Sequence, residues 1–160
     1  MAKLTHIIIH CSDSDFGTAD MIRGWHKRRG WRDIGYHFVI RNGADKISFS
    51  NPDNDGLVET GRMLDGDDFL TDNEKGAHAL GYNENSIGIC LIGIKNFTSN
   101  QIRSLLSLIE ELTSKHNIPH TNILGHCETA SGKRQGKTCP NFPVSDIRER
   151  LRLINQKEEN

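Results

Sequence analysis

Two histidines and a cysteine carry the chemical signal in this chain. In Thr5-His6-Ile7-Ile8-Ile9-His10-Cys11-Ser12 an apolar run ends in His10, and a shorter run, Ile123-Leu124-Gly125, ends in His126. A polar stretch then leads to Gly136-Lys137-Thr138-Cys139-Pro140, a turn that presents Cys139. Strand ends feed loops, and loops on a rigid scaffold are where sites are commonly built. Two imidazoles and a thiolate form a three-ligand set. Such a set leaves the fourth position of a tetrahedral zinc open for water, as in catalytic rather than closed structural sites. Each residue alone has a plainer reading, because single histidines and cysteines are often just packed or exposed. Their combination in these flanking sequences points to one zinc ion per chain.

Further residues could act beside such a metal. Tyr36, in Gly35-Tyr36-His37-Phe38, is expected to open a strand. Its phenol could hydrogen-bond a nucleophilic water or a developing oxyanion, or simply meet a backbone carbonyl as a half-buried tyrosine. Lys137 stands two residues before Cys139, on the same side of an extended turn. Its ammonium could stabilise a tetrahedral intermediate or protonate a leaving amine, or it could be an ordinary solvated lysine. His78 and Asn85 lie in polar stretches just before the apolar run Ile87 to Ile92, where they could touch peptide or sugar atoms or merely form turns. Spacing does not choose between these readings. Glu84 reads as a turn residue, and no glutamate stands out as a general base. Trp25, His26 and Trp31 read as packing, while His6, His37, His116 and His120 read as unremarkable. Cys90 reads as core, and Cys11 and Cys127, each next to a candidate ligand, are expected to face away from the metal.

These residues need elements to hold them. Strands are expected over Leu4 to His10, Gly35 to Ile40 and Ser86 to Ile94, the last central because it is apolar on both faces. A short strand from Asn122 to Gly125 would deliver His126. Helices are expected over Ala19 to Arg29, with Gly30 as its stop, and from Thr98-Ser99-Asn100-Gln101, a capping box, to about His116. A last helix opens at Pro143 and frays after Lys157. Ala44 to Lys75 reads as a long loop with short strands near Ile47 to Phe49 and Leu57 to Glu59. The order implies a single-domain α/β structure over residues 1–160, a mixed central sheet flanked by helices.

Composition narrows the partners. Lys plus Arg number 20 and Asp plus Glu number 21, giving a net charge of −1, which argues against nucleic acid bound through bulk charge. The N-terminus shows no signal-peptide pattern and no run approaches a membrane span, so synthesis in the cytoplasm and no stable membrane insertion are expected. The four cysteines form no Cys-x-x-Cys pair, and cytoplasmic synthesis disfavours disulfides.

Together the motifs resemble the type-2 N-acetylmuramoyl-L-alanine amidase family, whose fold is shared by phage amidase-type lysozymes and peptidoglycan-recognition proteins. The matching pieces are Ile7 to Ser12, Trp25-His26, Trp31 to Phe38, Gly76 to Ala79, Tyr82 to Gly93, Gly125-His126 and Lys137 to Phe142, in the family's order. The resemblance implies His10, His126 and Cys139 as zinc ligands and Tyr36 and Lys137 as the catalytic pair, with His78 near the substrate groove. It implies peptidoglycan as substrate, cut between the lactyl group of N-acetylmuramic acid and L-alanine of the stem peptide. A phage or prophage lysin released to the wall through a holin, acting as a monomer, is the expected setting. Two alternatives stay open: a peptidoglycan-binding module of the same fold that does not cut, and a zinc hydrolase of another small amide. The segments 44–75 and 127–138 look longer than the family's usual turns and lie where they could reshape the groove.

Overall fold

Fully buried β-branched residues build the middle of the molecule. The computed structural model describes residues 1–160. A two-residue strand, β1 (Ala2–Lys3), precedes β2 (His6–Cys11), in which Ile7, Ile8 and Ile9 are all inaccessible to solvent. A strand without a polar face belongs inside a sheet covered on both sides. Helix α1 (Ala19–Arg28) starts at Thr18, whose hydroxyl accepts the Met21 N–H, and stops before Gly30 at φ +87°. Strand β3 (Phe38–Asn42) pairs antiparallel with β4 (Asp55–Thr60), and β5 (Phe69–Leu70) pairs with β1. Strand β6 (Ser86–Leu91) is buried at every position. Helix α2 (Ser99–His116) begins at the Thr98–Gln101 capping box and ends at Asn117 in the left-handed conformation. Strand β7 (Ile123–Gly125), a short α3 (Ala130–Arg134) and α4 (Val144–Glu159) complete the chain.

The main sheet has the order β4-β3-β6-β2-β7, with β4 antiparallel at one edge and the other four strands parallel. Alternation along the strands divides the core between its two faces. Ile7, Ile9, Ile87, Ile89 and Leu91 pack with α2 and α4, while Val39, Cys90 and Ile92 pack with α1 and Ile34. This is the mixed α/β sheet, helices on both faces, that the element order implied. Register then sets the site. Ile9 pairs with Gly125, so the next residues along, His10 and His126, emerge side by side at the carboxyl ends of neighbouring parallel strands.

Several expectations need correction. Gly35 to His37 lie before the ladder of β3 rather than in it. Ile47 to Phe49 form only a single Lys46–Phe49 bridge, whereas the strand expected near Leu57 extends over Asp55–Thr60. The polar stretch after His126 holds a helix, α3, capped by Thr129 Oγ1 accepting the Gly132 N–H at 3.0 Å. Helix α4 continues to Glu159 instead of fraying at Lys157. No helix is long and apolar enough to cross a membrane.

Candidate active site

The ligating atoms of His10, His126 and Cys139 all lie within 4.8 Å of one another. Donors around a tetrahedral zinc stand about 3.5 Å apart, so a small closure of this triangle fits the ion. His10 comes from the end of β2 and is 1% exposed. His126 opens a short 3-10 turn after β7, and its ring centroid is 4.7 Å from that of His10. The turn is buttressed by α3: Thr129 Oγ1 donates to the His126 carbonyl at 2.7 Å, and a Cβ on Gly132 would stand 1.9 Å from that same oxygen. Only glycine allows α3 to come so close. Cys139 is tied back by its carbonyl, which accepts the Cys127 N–H at 2.9 Å.

Electrostatics suit a cation. Burial holds His10 well below the ordinary imidazole pKa, helped by His78 and His126. Burial and then the Lys137 charge also lower His126. Both rings are therefore neutral at pH 7, the form in which an imidazole can bind a metal. The Cys139 thiol is pushed up by its contact with the Cys11 thiol and by burial, while the Cys11 N–H, 3.1 Å from Sγ, favours the thiolate. A bound cation deprotonates such a thiol outright. Cys11 thus turns towards Cys139, contrary to expectation.

The three residues sit in a cleft of about 810 Å³ that Tyr36, Lys137, Arg29 and Trp31 also line. The Tyr36 ring lies 5.1 Å from His10 and packs against His26. Burial raises the Tyr36 pKa well above its usual value, so the phenol remains a donor. Lys137 is exposed at the rim.

This arrangement matches known proteins. The family model described as N-acetylmuramoyl-L-alanine amidase matches residues 1–142. The chain belongs to this amidase family. It is 36% identical to the endolysin of Escherichia phage T7, over 92% of this chain and 87% of the relative, and 33% identical to that of Klebsiella phage KP32, over 95% and 90%. The solved N-acetylmuramoyl-L-alanine amidase LysC from Clostridium intestinale URNW superposes with a TM-score of 0.71 at 30% identity, covering 94% of this chain and 86% of that one.

Within this amidase fold the remaining expectations divide. His78 does not present a free polar atom to the cleft. It is 9% exposed, and its ring bonds His10 Nε2 at 2.9 Å and Ser86 Oγ at 3.3 Å. Asn85 precedes β6 at the amino end of the parallel strands, whereas the cleft opens at their carboxyl ends. Its carbonyl accepts the Thr5 and His6 N–H groups, and it is not among the cleft residues. Segment 44–75 likewise contributes nothing to the cleft wall, while Gln135 to Thr138 do line it.

Other residues escaped the sequence reading. His26 is 6% exposed, and its Nδ1 accepts the Gly35 N–H at 2.9 Å, anchoring the segment that carries Tyr36. Asn83 accepts the His78 and Ala79 N–H groups at 2.8 and 2.9 Å. Arg62, also 6% exposed, donates to the carbonyls of Asp33, Ile34 and Lys75, and its own N–H donates to Tyr36 O at 2.8 Å. The Trp25-His26 pair preceding a Gly-Tyr turn was the available signal for His26. Nothing local marks Arg62 as buried.

Proposed function

We propose that this chain is a zinc-dependent N-acetylmuramoyl-L-alanine amidase that cleaves peptidoglycan between the lactyl group of N-acetylmuramic acid and L-alanine of the stem peptide. The endolysins it resembles support a lytic role at the wall of a phage or prophage host; the reading takes residues 1–160 as one monomeric domain that acts after release from the cytoplasm. The observation that carries the reading is the convergence of two neutral imidazoles and one thiol in a cleft that also holds a phenol and an ammonium.

His10, His126 and Cys139 would hold one zinc ion. When bound, zinc supplies Lewis acidity towards a carbonyl and makes a hydroxide nucleophile available near neutral pH. Tyr36 stays protonated and donates its O–H to the attacking oxygen or to the oxyanion. Lys137 adds positive charge at the rim, where it neutralises the tetrahedral intermediate and can pass a proton to the departing L-alanine nitrogen. A binding module that does not cut would have no need of the complete donor set, and that set favours catalysis.

The test is digestion of purified Gram-negative peptidoglycan with and without a zinc chelator, with products read by mass spectrometry. Free stem peptides beginning with L-alanine, lost on chelation and restored by zinc, are expected. Intact wall in the presence of zinc-loaded, folded protein would reduce the chain to a binding module or to another amide substrate.

A further inference from the structure

A line of buried polar atoms runs beneath the site, and its direction can be read from the chemistry at its far end. The Tyr82 carbonyl lies 2.6 Å from Ser86 Oγ, and a carbonyl only accepts, so the single serine proton is spent there. Ser86 Oγ, 3.3 Å from His78 Nε2, is then left to accept, which puts the His78 proton on Nε2. His78 Nδ1 consequently carries a lone pair. It lies 2.9 Å from His10 Nε2, which must supply the proton between them. His10 Nδ1 is therefore the bare nitrogen.

We propose that His78 is a positioning residue which, with Ser86 and the Tyr82 carbonyl, fixes His10 in its Nε2–H tautomer and so reserves Nδ1 for the metal. The inference rests on the zinc reading above for its purpose, though the tautomer itself is a property of the metal-free protein. Ligating histidines commonly donate their other N–H to a carboxylate, carbonyl or water; here a second, neutral histidine takes that place. The pocket around it is built for a ring. A Cβ on Gly88 would meet His78 ring atoms at 2.7 to 2.8 Å, and one on Gly76 would stand 2.6 Å from His78 Cδ2. The ring covers a bare stretch of β6 between Ser86 and the strand that carries His10, and its two hydrogen bonds fix which nitrogen faces each. Across the β2–β6 ladder the Gly88–Ile8 pair lies midway between the Ser86–His6 and Cys90–His10 pairs, and the imidazole over Gly88 bridges from Ser86 to His10. His37 shares this floor but is committed elsewhere, its Nδ1 accepting the Gly88 N–H and its Nε2 donating to Glu74 O.

Two measurements on the full chain test this. Long-range proton–nitrogen correlation of the metal-free protein reads each histidine tautomer, and competition with a chelating dye reads affinity for zinc alone. The expected result is Nε2–H at both His10 and His78. His78→Ala removes the acceptor, and zinc affinity should fall about 10–100-fold, the usual loss when such a partner goes. In His78→Asn the side-chain oxygen sits where Nδ1 was, so most of that affinity, and the Nε2–H form of His10, should return; a merely structural role for the ring would not be rescued this way. Ser86→Ala, a smaller change, serves if His78→Ala does not fold: His78 should show both tautomers, with a lesser loss of affinity. An Nδ1–H His10 in protein that binds zinc would overturn the relay alone, as would unchanged affinity in a folded His78→Ala. The expected tautomers in protein that takes up no zinc would instead remove the metal reading, and with it the purpose assigned to the relay.

Discussion

Gly88→Ala separates strand propensity from tertiary packing, because the two give opposite signs. Glycine inside a strand is ordinarily a weakness, and replacing it with alanine stabilises by about 0.5–1 kcal/mol through the unfolded chain. Here the new methyl would lie 2.7 to 2.8 Å from three atoms of the His78 imidazole, well inside contact distance. The ring is held in place, since Gly76 also packs close to its Cδ2 and hydrogen bonds to His10 and Ser86 fix it. Overpacking of this kind costs about 1–3 kcal/mol. The net expectation is destabilisation by about 1–2 kcal/mol, which for a chain of this size lowers Tm by about 3–6 °C. Thermal and urea denaturation of the metal-free protein measure it. Gly24→Ala is the matched control: Gly24 sits inside α1 with nothing within 4 Å of its Cβ position, so alanine there should stabilise by up to about 1 kcal/mol. A Gly88→Ala protein as stable as the wild type, or more so, would refute the packing argument and the rigidity claimed for His78.

Cys139→Ser should lose most bound zinc by metal analysis, whereas Tyr36→Phe should keep its zinc and hydrolyse about 10²–10³-fold more slowly, the usual cost of one oxyanion donor; full activity in the phenylalanine variant would remove Tyr36 from the mechanism. Arg62→Met removes the donor to the buried Ile34 carbonyl and to the half-buried carbonyls of Asp33 and Lys75, and a loss of about 1–3 kcal/mol is expected by urea denaturation. Glu74 gives a pH dependence. Burial pushes its carboxyl up, but hydrogen bonds from Thr71 and Asp65 together outweigh it and leave the pKa below the ordinary 4.5. A lowered folded-state pKa stabilises the protein fully above the unfolded value and is lost as pH falls below it. Wild-type stability should therefore decline below about pH 4.5 more steeply than that of Glu74→Gln, and parallel curves would exclude this contribution.

Local rules were enough for the elements that carry the candidate metal ligands. The unbroken isoleucines of β2, the all-apolar β6 and the capping box of α2 each announce themselves within a few residues, because burial on both faces and satisfaction of helix-end N–H groups are local demands. The same holds for the placement of His10 and His126, whose positions at the ends of apolar runs already put them at strand ends. The edge of the sheet was less legible. β4 leaves Leu57 and Val58 substantially exposed, and β5 has only two residues, so neither shows the alternation that marks a half-buried strand.

What the amino-acid sequence determined by itself, then, is the strands and the candidate donors that they present, His10 and His126 at strand ends and Cys139 in its turn, with Tyr36 and Lys137 nearby in motif. Tertiary structure alone decided which polar residues reach them. Asn85 and His78 look alike in sequence, each polar and each just before β6, yet parallel register leaves Asn85 at the far end of the sheet and folds His78 back over Gly88 onto His10. The polar stretch after His126 becomes a helix because Gly132 can approach a carbonyl that no side chain would tolerate. Contacts between residues distant along the chain depend on register and close approach, and neither is written in the local pattern of apolar and polar residues.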